Sequence, residues 1–165
     1  MNEIQILATG PDLVREGARA IEPVIEELML GARREIHLVA YVFTPQADRF
    51  LALLGQTAER GVRLTVVVNH LEGQHPNVRD KLISLARKFD HARVASFSGS
   101  GVQLHAKAVV SDRKRAVVGS ANFSWGGMAT NYELGVLIDG DAAWDLARLI
   151  DVLASQSVPQ ANAKN

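Results

Sequence analysis

The sequence has no cysteine. Disulfides, thiolate metal sites and cysteine nucleophiles are therefore excluded, although this absence does not fix a compartment. It has no net charge either, with 18 Lys and Arg against 18 Asp and Glu. No overall basic field advertises nucleic acid, so any polyanion site must come from local arrangement. No apolar run approaches the roughly 18 residues of a membrane span. Met1-Asn2-Glu3-Ile4-Gln5 has no basic region followed by an apolar one. The expectation is a soluble, cytoplasmic protein without stable membrane association. No internal repeat is visible.

What is there suffices for one domain. A chain of 165 residues buries roughly 70% of its unfolded surface. Apolar and polar stretches alternate along it. Ile4 to Ala8 reads as a short strand, interrupted at Pro11-Asp12. A helix follows to about Leu30, with Ile21, Val24, Ile25, Leu28 and Met29 on one stripe and Gly31 placed to end it. Glu35 to Phe43 and Leu64 to Val68 are apolar and β-branched enough for strands buried on both faces. Helices are expected over Gln46 to Arg60, from Pro76, and from Asp141, the last with Leu146, Leu149, Ile150 and Leu153 inward. The fold class is α/β: a mixed, largely parallel sheet with helices on both faces. The domain spans 1–154, and 155–165 reads as a polar tail.

The chemistry gathers between Gln103 and Glu133. Leu104-His105-Ala106-Lys107-Ala108 alternates, the mark of a strand, which places His105 and Lys107 on one face. Arg113-Lys114-Arg115 reads as a polar turn. Ala116-Val117-Val118 then returns to the sheet and delivers Gly119-Ser120-Ala121-Asn122 to its end, where small and amide residues admit an anion.

His105-x-Lys107-x4-Asp112-x6-Gly119-Ser120-x-Asn122 resembles the HKD signature of the phospholipase D superfamily, with its GSxN extension. Glu133 falls where many members carry a further acidic residue. Short bacterial nucleases with one such motif per chain are similar in size and layout. Leu7-Ala8-Thr9-Gly10-Pro11 and Tyr41-Val42-Phe43-Thr44 also resemble phospholipase-D-like proteins of phage-defence (DISARM-type) clusters.

The resemblance implies phosphodiester hydrolysis through a covalent phosphohistidine on His105, without metal or other cofactor. Lys107 and Asn122 would clamp the phosphate, with Ser120 and Gly119 adding contacts. Glu133 would accept from the other imidazole nitrogen. Asp112, part of the motif, suits loop orientation or charge neutralisation better than substrate contact. The family mechanism uses two facing histidines and this chain supplies one, so a homodimer with a shared site is implied. DNA is the expected substrate, with RNA, or a lipid, as alternatives. A non-catalytic subunit of a phage-defence complex is a further one.

The other candidates have plainer readings. His37, inside an apolar strand, reads as a core histidine. His70, Glu72 and His75 lie in a polar loop at a strand's carboxyl end, where ligand crevices form. Trp125 suits packing at the sheet edge, with base stacking as the alternative.

Overall fold

The computed structural model describes residues 3–160. The strands are β1 (Glu3–Thr9), β2 (Arg19–Ala20), β3 (Glu35–Ala40), β4 (Arg63–Asn69), β5 (Ala92–Phe97), β6 (Ala108–Ser111), β7 (Arg115–Gly119), β8 (Glu133–Asp139) and β9 (Val158–Pro159). The α-helices are α1 (Pro11–Arg15), α2 (Ile21–Gly31), α3 (Asp48–Glu59), α4 (Pro76–Lys88) and α5 (Asp141–Gln156).

All strands join one sheet in the order β2-β1-β8-β7-β6-β3-β4-β5-β9. The sheet is mixed, as the sequence implies, but not largely parallel. Between strands, parallel pairing is confined to β1 with β2 and to β3-β4-β5. The pairings β1-β8, β8-β7, β7-β6, β6-β3 and β5-β9 are antiparallel. Among these only β6-β7 is a tight hairpin, whose short turn cannot carry the chain across to a parallel neighbour. The other antiparallel pairs join strands distant in the chain or linked by a long segment.

Helices cover both faces. One core lies between α2, α3 and α4 and a sheet face built from Ile36, Leu38, Leu64, Val66, Val109 and Val117. The stripe of Ile21, Val24, Ile25, Leu28 and Met29 is buried there throughout, each side chain worth about 1.5–3 kcal/mol of burial. The second core lies under α5, against Val39, Val67, Val110 and Ala116.

Two boundaries and one burial differ from the sequence reading. The helix after Pro11 is split, because Gly17 adopts φ +99 and the chain makes strand β2 before α2 begins. The tail is shorter than 155–165: α5 continues to Gln156 and Val158–Pro159 pairs with β5, while 161–165 lie outside the described residues. On α5, Ile150 is buried and Leu146 and Leu153 half-buried, but Leu149 is 51% exposed. Among the described residues, no helix is long and apolar enough to cross a membrane.

Candidate active site

The strand order brings β6, β7 and β8 side by side, and their register sets which residues meet at one end of the sheet. Gly119 donates its N–H to the Lys107 carbonyl at 3.3 Å, and Ser120 donates its N–H to the Leu134 carbonyl at 3.0 Å. Lys107, Gly119, Ser120 and Glu133 therefore share one edge, where β3 and β4 also end. Gly119 is required for this approach. A Cβ there would lie 2.7 Å from the Leu134 carbonyl oxygen.

His105 is not on a strand. Residues 102–107 have no regular structure, and β6 begins only at Ala108. The alternation still brings the two motif side chains together. Lys107 Nζ lies 2.8 Å from His105 Nδ1 and donates to the His105 carbonyl at 2.7 Å. The imidazole is exposed, while Lys107 is buried. Burial pushes the Lys107 ammonium below its ordinary pKa, and the negative charge of Glu133 partly restores it. A cavity of about 470 Å³ opens beside His105, Lys107, Gly119 and Ser120. Its far wall is the apolar side of α5, through Leu146, Leu149, Ile150 and Leu153.

Glu133 does not accept from His105. Its carboxylate takes a short hydrogen bond from Ser120 Oγ and a second from Asn131 Nδ2 at 3.2 Å. The Ser120 hydroxyl proton is thus committed to Glu133. Asn122 stands just beyond, its backbone packed so closely on Gly127 that a Cβ at Gly127 would lie 2.3 Å from the Asn122 carbonyl. Its side-chain Oδ1 is buried without a partner among the described residues, an unmet capacity that a bound group could satisfy.

Asp112 lies at the opposite end of β6 and takes no part in this cluster. Its carboxylate accepts backbone N–H groups from Arg33, Arg34 and Glu35 at 2.8–3.3 Å. Burial raises its pKa, and these three donors outweigh that and hold it below the usual carboxylate range. Asp112 and Arg113 have φ +53 and +57, and Lys114 N–H closes the turn onto the Ser111 carbonyl at 3.0 Å. These are the marks of a tight hairpin turn, with three residues between the paired Ser111 and Arg115. The left-handed backbone at Arg113 costs roughly 1–2 kcal/mol. Ion pairs from its guanidinium to Glu35 and Asp151, at 2.8 and 2.6 Å, help hold it. The basic triplet is thus partly internal, with only Lys114 fully exposed.

The other histidines are elsewhere. His37 is a core residue at the Asp112 end, its Nε2 3.1 Å from Asp151 and 3.2 Å from Arg113. His75 caps α4, its Nδ1 accepting from the Asn77 N–H at 3.3 Å. Trp125 is 62% exposed, so packing at the sheet edge does not account for it.

One neighbour escaped the sequence reading. The Tyr41 ring lies 4.4 Å from the His105 ring and 5.3 Å from Lys107 Nζ. Its place just past the end of β3, on the site's edge of the sheet, was the available signal. Among the described residues, no three His, Asp or Glu side chains are grouped to hold a metal ion.

Residues 25–153 match the family described as cardiolipin synthase, PLD-like domain. The chain belongs to the phospholipase D superfamily. Among relatives, it is 28% identical over 145 residues to the DISARM protein DrmC of Bacillus paralicheniformis, covering 85% of this chain and 58% of that one. It is 26% identical over 155 residues to cardiolipin synthase A of Serratia proteamaculans, covering 93% of this chain and 31% of that one. This superfamily chain thus spans less than two thirds of these relatives. Among solved structures, Nuc from Salmonella typhimurium, a phospholipase D family member, aligns with TM-score 0.77 at 19% identity over 96% of this chain and 98% of that one. NucT from Helicobacter pylori aligns with TM-score 0.77 at 16% identity, over 96% and 99%. Both share the fold.

Proposed function

We propose that the chain is a metal-independent phosphodiesterase, a nuclease that hydrolyses DNA, with RNA as the alternative substrate. The observation that carries this reading is the contact of His105 with Lys107 at the mouth of an open cavity. An imidazole nitrogen of His105 attacks phosphorus, forming a P–N bond as the bond to the leaving oxygen breaks. Water then attacks the phosphohistidine and releases the phosphate, regenerating the imidazole. Lys107 holds the non-bridging oxygens by charge, and Asn122 by its amide. Its closeness to His105 lets Lys107 pass from the imidazole to an arriving phosphate, freeing the ring for attack. Glu133 and Ser120 hold the rim of the site, and Gly119 lets the strands close under it. Size and fold shared with Nuc and NucT support the nuclease reading.

The leaving oxygen needs a proton donor. The His105 of a second copy supplies it in a two-fold dimer. Two features support this. Ile6 and Leu134 are exposed on β1 and β8, toward the site's end of the sheet. A second hollow, holding Ile6, Leu134 and Val136, shares Val118 and Gly119 with the His105 cavity. An uncovered apolar face of this kind marks an interface.

A lipid phosphodiesterase is the second reading. The apolar α5 wall beside His105 favours it, as does the similarity to cardiolipin synthases. The similarity to DrmC supports a place in phage defence, where the chain could also act as a non-catalytic subunit.

The test is purified protein on plasmid, single-stranded DNA, RNA and phosphatidylcholine, each with and without chelator, with His105→Ala as control. Chelator-resistant cleavage of nucleic acid, lost in the variant, is expected. Turnover of phosphatidylcholine alone selects the lipid reading, and no turnover at all selects the non-catalytic one.

A further inference from the structure

His105 rides on residues 102–107, which have no strand ladder to hold them. On one side of it, the Lys107 carbonyl is fixed by Gly119 N–H. On the other, the Leu104 N–H donates to Asn69 Oδ1 at 2.9 Å. Asn69 is the last residue of β4 and is buried. Its own carbonyl accepts from Gln74 Nε2 at 2.8 Å.

Gln74 reaches further. Nε2 also donates to the Tyr41 carbonyl at 3.1 Å, and Oε1 accepts the Phe43 N–H at 3.0 Å. These partners fix the sense of both amides, because a carbonyl requires an N–H and an N–H requires an oxygen. Gln74 is buried, and the loop that carries it is anchored. Leu71 is buried, and its N–H donates to Ser96 Oγ at 3.0 Å. Tyr41 lies beyond the end of β3, so no strand ladder holds it either. Two buried amides therefore fasten both the segment that carries the imidazole and the ring that lies against it.

We propose that Asn69 and Gln74 are positioning residues for His105, setting the imidazole against Tyr41 through the backbones of Leu104 and Tyr41. The proposal rests on the reading of His105 as nucleophile. Reactive geometry is steep: a misplacement of about 1 Å costs on the order of 100-fold in rate. A clasp one residue from the nucleophile is placed to prevent it.

The experiment uses NMR on the full chain, with the His105 ring signals identified by their loss in His105→Ala. Asn69→Ala removes the acceptor for Leu104, and Asn69→Asp keeps it. Gln74→Met keeps the length and removes all three hydrogen bonds. The proposal expects His105 ring signals and their titration to move in Asn69→Ala and Gln74→Met, and to stay near wild type in Asn69→Asp. Circular dichroism should be native in all three. On a cleaved substrate, kcat should fall about 10–100-fold with KM little changed. Should Asn69→Ala fail to fold, Gln74→Met carries the test. Unmoved His105 signals in a folded Asn69→Ala or Gln74→Met overturn the proposal, as does loss of the wild-type signals in Asn69→Asp. The NMR readout needs no turnover, so a chain that cleaves nothing defeats the phosphodiesterase reading alone.

Discussion

The Lys107 Nζ stands 2.8 Å from Nδ1 and 3.3 Å from Nε2 of His105, so the lysine lies across one edge of the imidazole. The contact joins the one buried lysine of the site to its exposed imidazole. His105→Ala or His105→Asn should remove turnover, by on the order of 10³-fold or more. The fold should survive, because the side chain is exposed. Lys107→Met should also cost activity, and Lys107→Arg should restore it only in part, since a guanidinium is a planar fork and not a point charge. Initial rates beside circular dichroism decide between the two roles. Retained rates in His105→Ala remove the nucleophile assignment.

Asp112 invites the opposite prediction. Its carboxylate holds three backbone N–H groups where α2 runs into β3, far along β6 from His105. Asp112→Ala should lower stability by about 1–3 kcal/mol, the cost of leaving such donors unpaired. Turnover per folded molecule should stay near wild type. Urea unfolding and active-site titration measure the two separately. A variant of native stability with no activity would return Asp112 to the site.

These two residues show what the sequence could and could not reveal. The alternation around His105 correctly joined it to Lys107, because neighbours two apart share a side in any extended chain, strand or not. Spacing could not say where β6 begins, and the strand starts four residues later than the pattern suggests. Nor could it reveal that Asp112 opens a hairpin turn, since the partner that makes this visible, the α2–β3 junction, is nearly eighty residues away. The helical stripe of α2 was legible because its period is local. The antiparallel majority of the sheet was not, because pairing depends on which strands lie adjacent in space. Tyr41 and Asn69 were missed for the same reason: their contacts with the His105 segment cross the sheet, and Gln74 acts only through them.

His37 should tie stability to pH. Burial lowers its pKa from the ordinary value, more than Asp151 raises it. The unfolded chain therefore takes up the proton first as pH falls through about 6.5. Below that value the folded state loses stability, by at most about 1.4 kcal/mol per pH unit for this one proton, until the folded pKa is passed. Above it the contribution is constant. His37→Gln cannot titrate. Comparing urea midpoints of the two proteins between pH 8 and pH 5 isolates this group from the carboxylates, and the wild type should lose ground to the variant as pH falls. A difference independent of pH would show that burial does not govern this histidine.

The shared-site reading makes the strongest demand on assembly. One chain brings one His105, and the other histidines described, His37, His70, His75 and His91, do not line its cavity. In the hollow beside that cavity, Ile6 is 59% exposed and Leu134 61% exposed. If a second copy covers them, the protein should sediment at about twice its 17.9 kDa chain mass. A buried charge without a partner is costly, so Ile6→Asp with Leu134→Asp should give a folded monomer that has lost activity, although neither residue belongs to the His105–Lys107 pair. Mixing wild type with His105→Ala under subunit exchange should give heterodimers of little activity, because attack and protonation need one imidazole each. A monomer that remains active would defeat the model and move the search for the acid to Glu72 or His70 in the loop after β4.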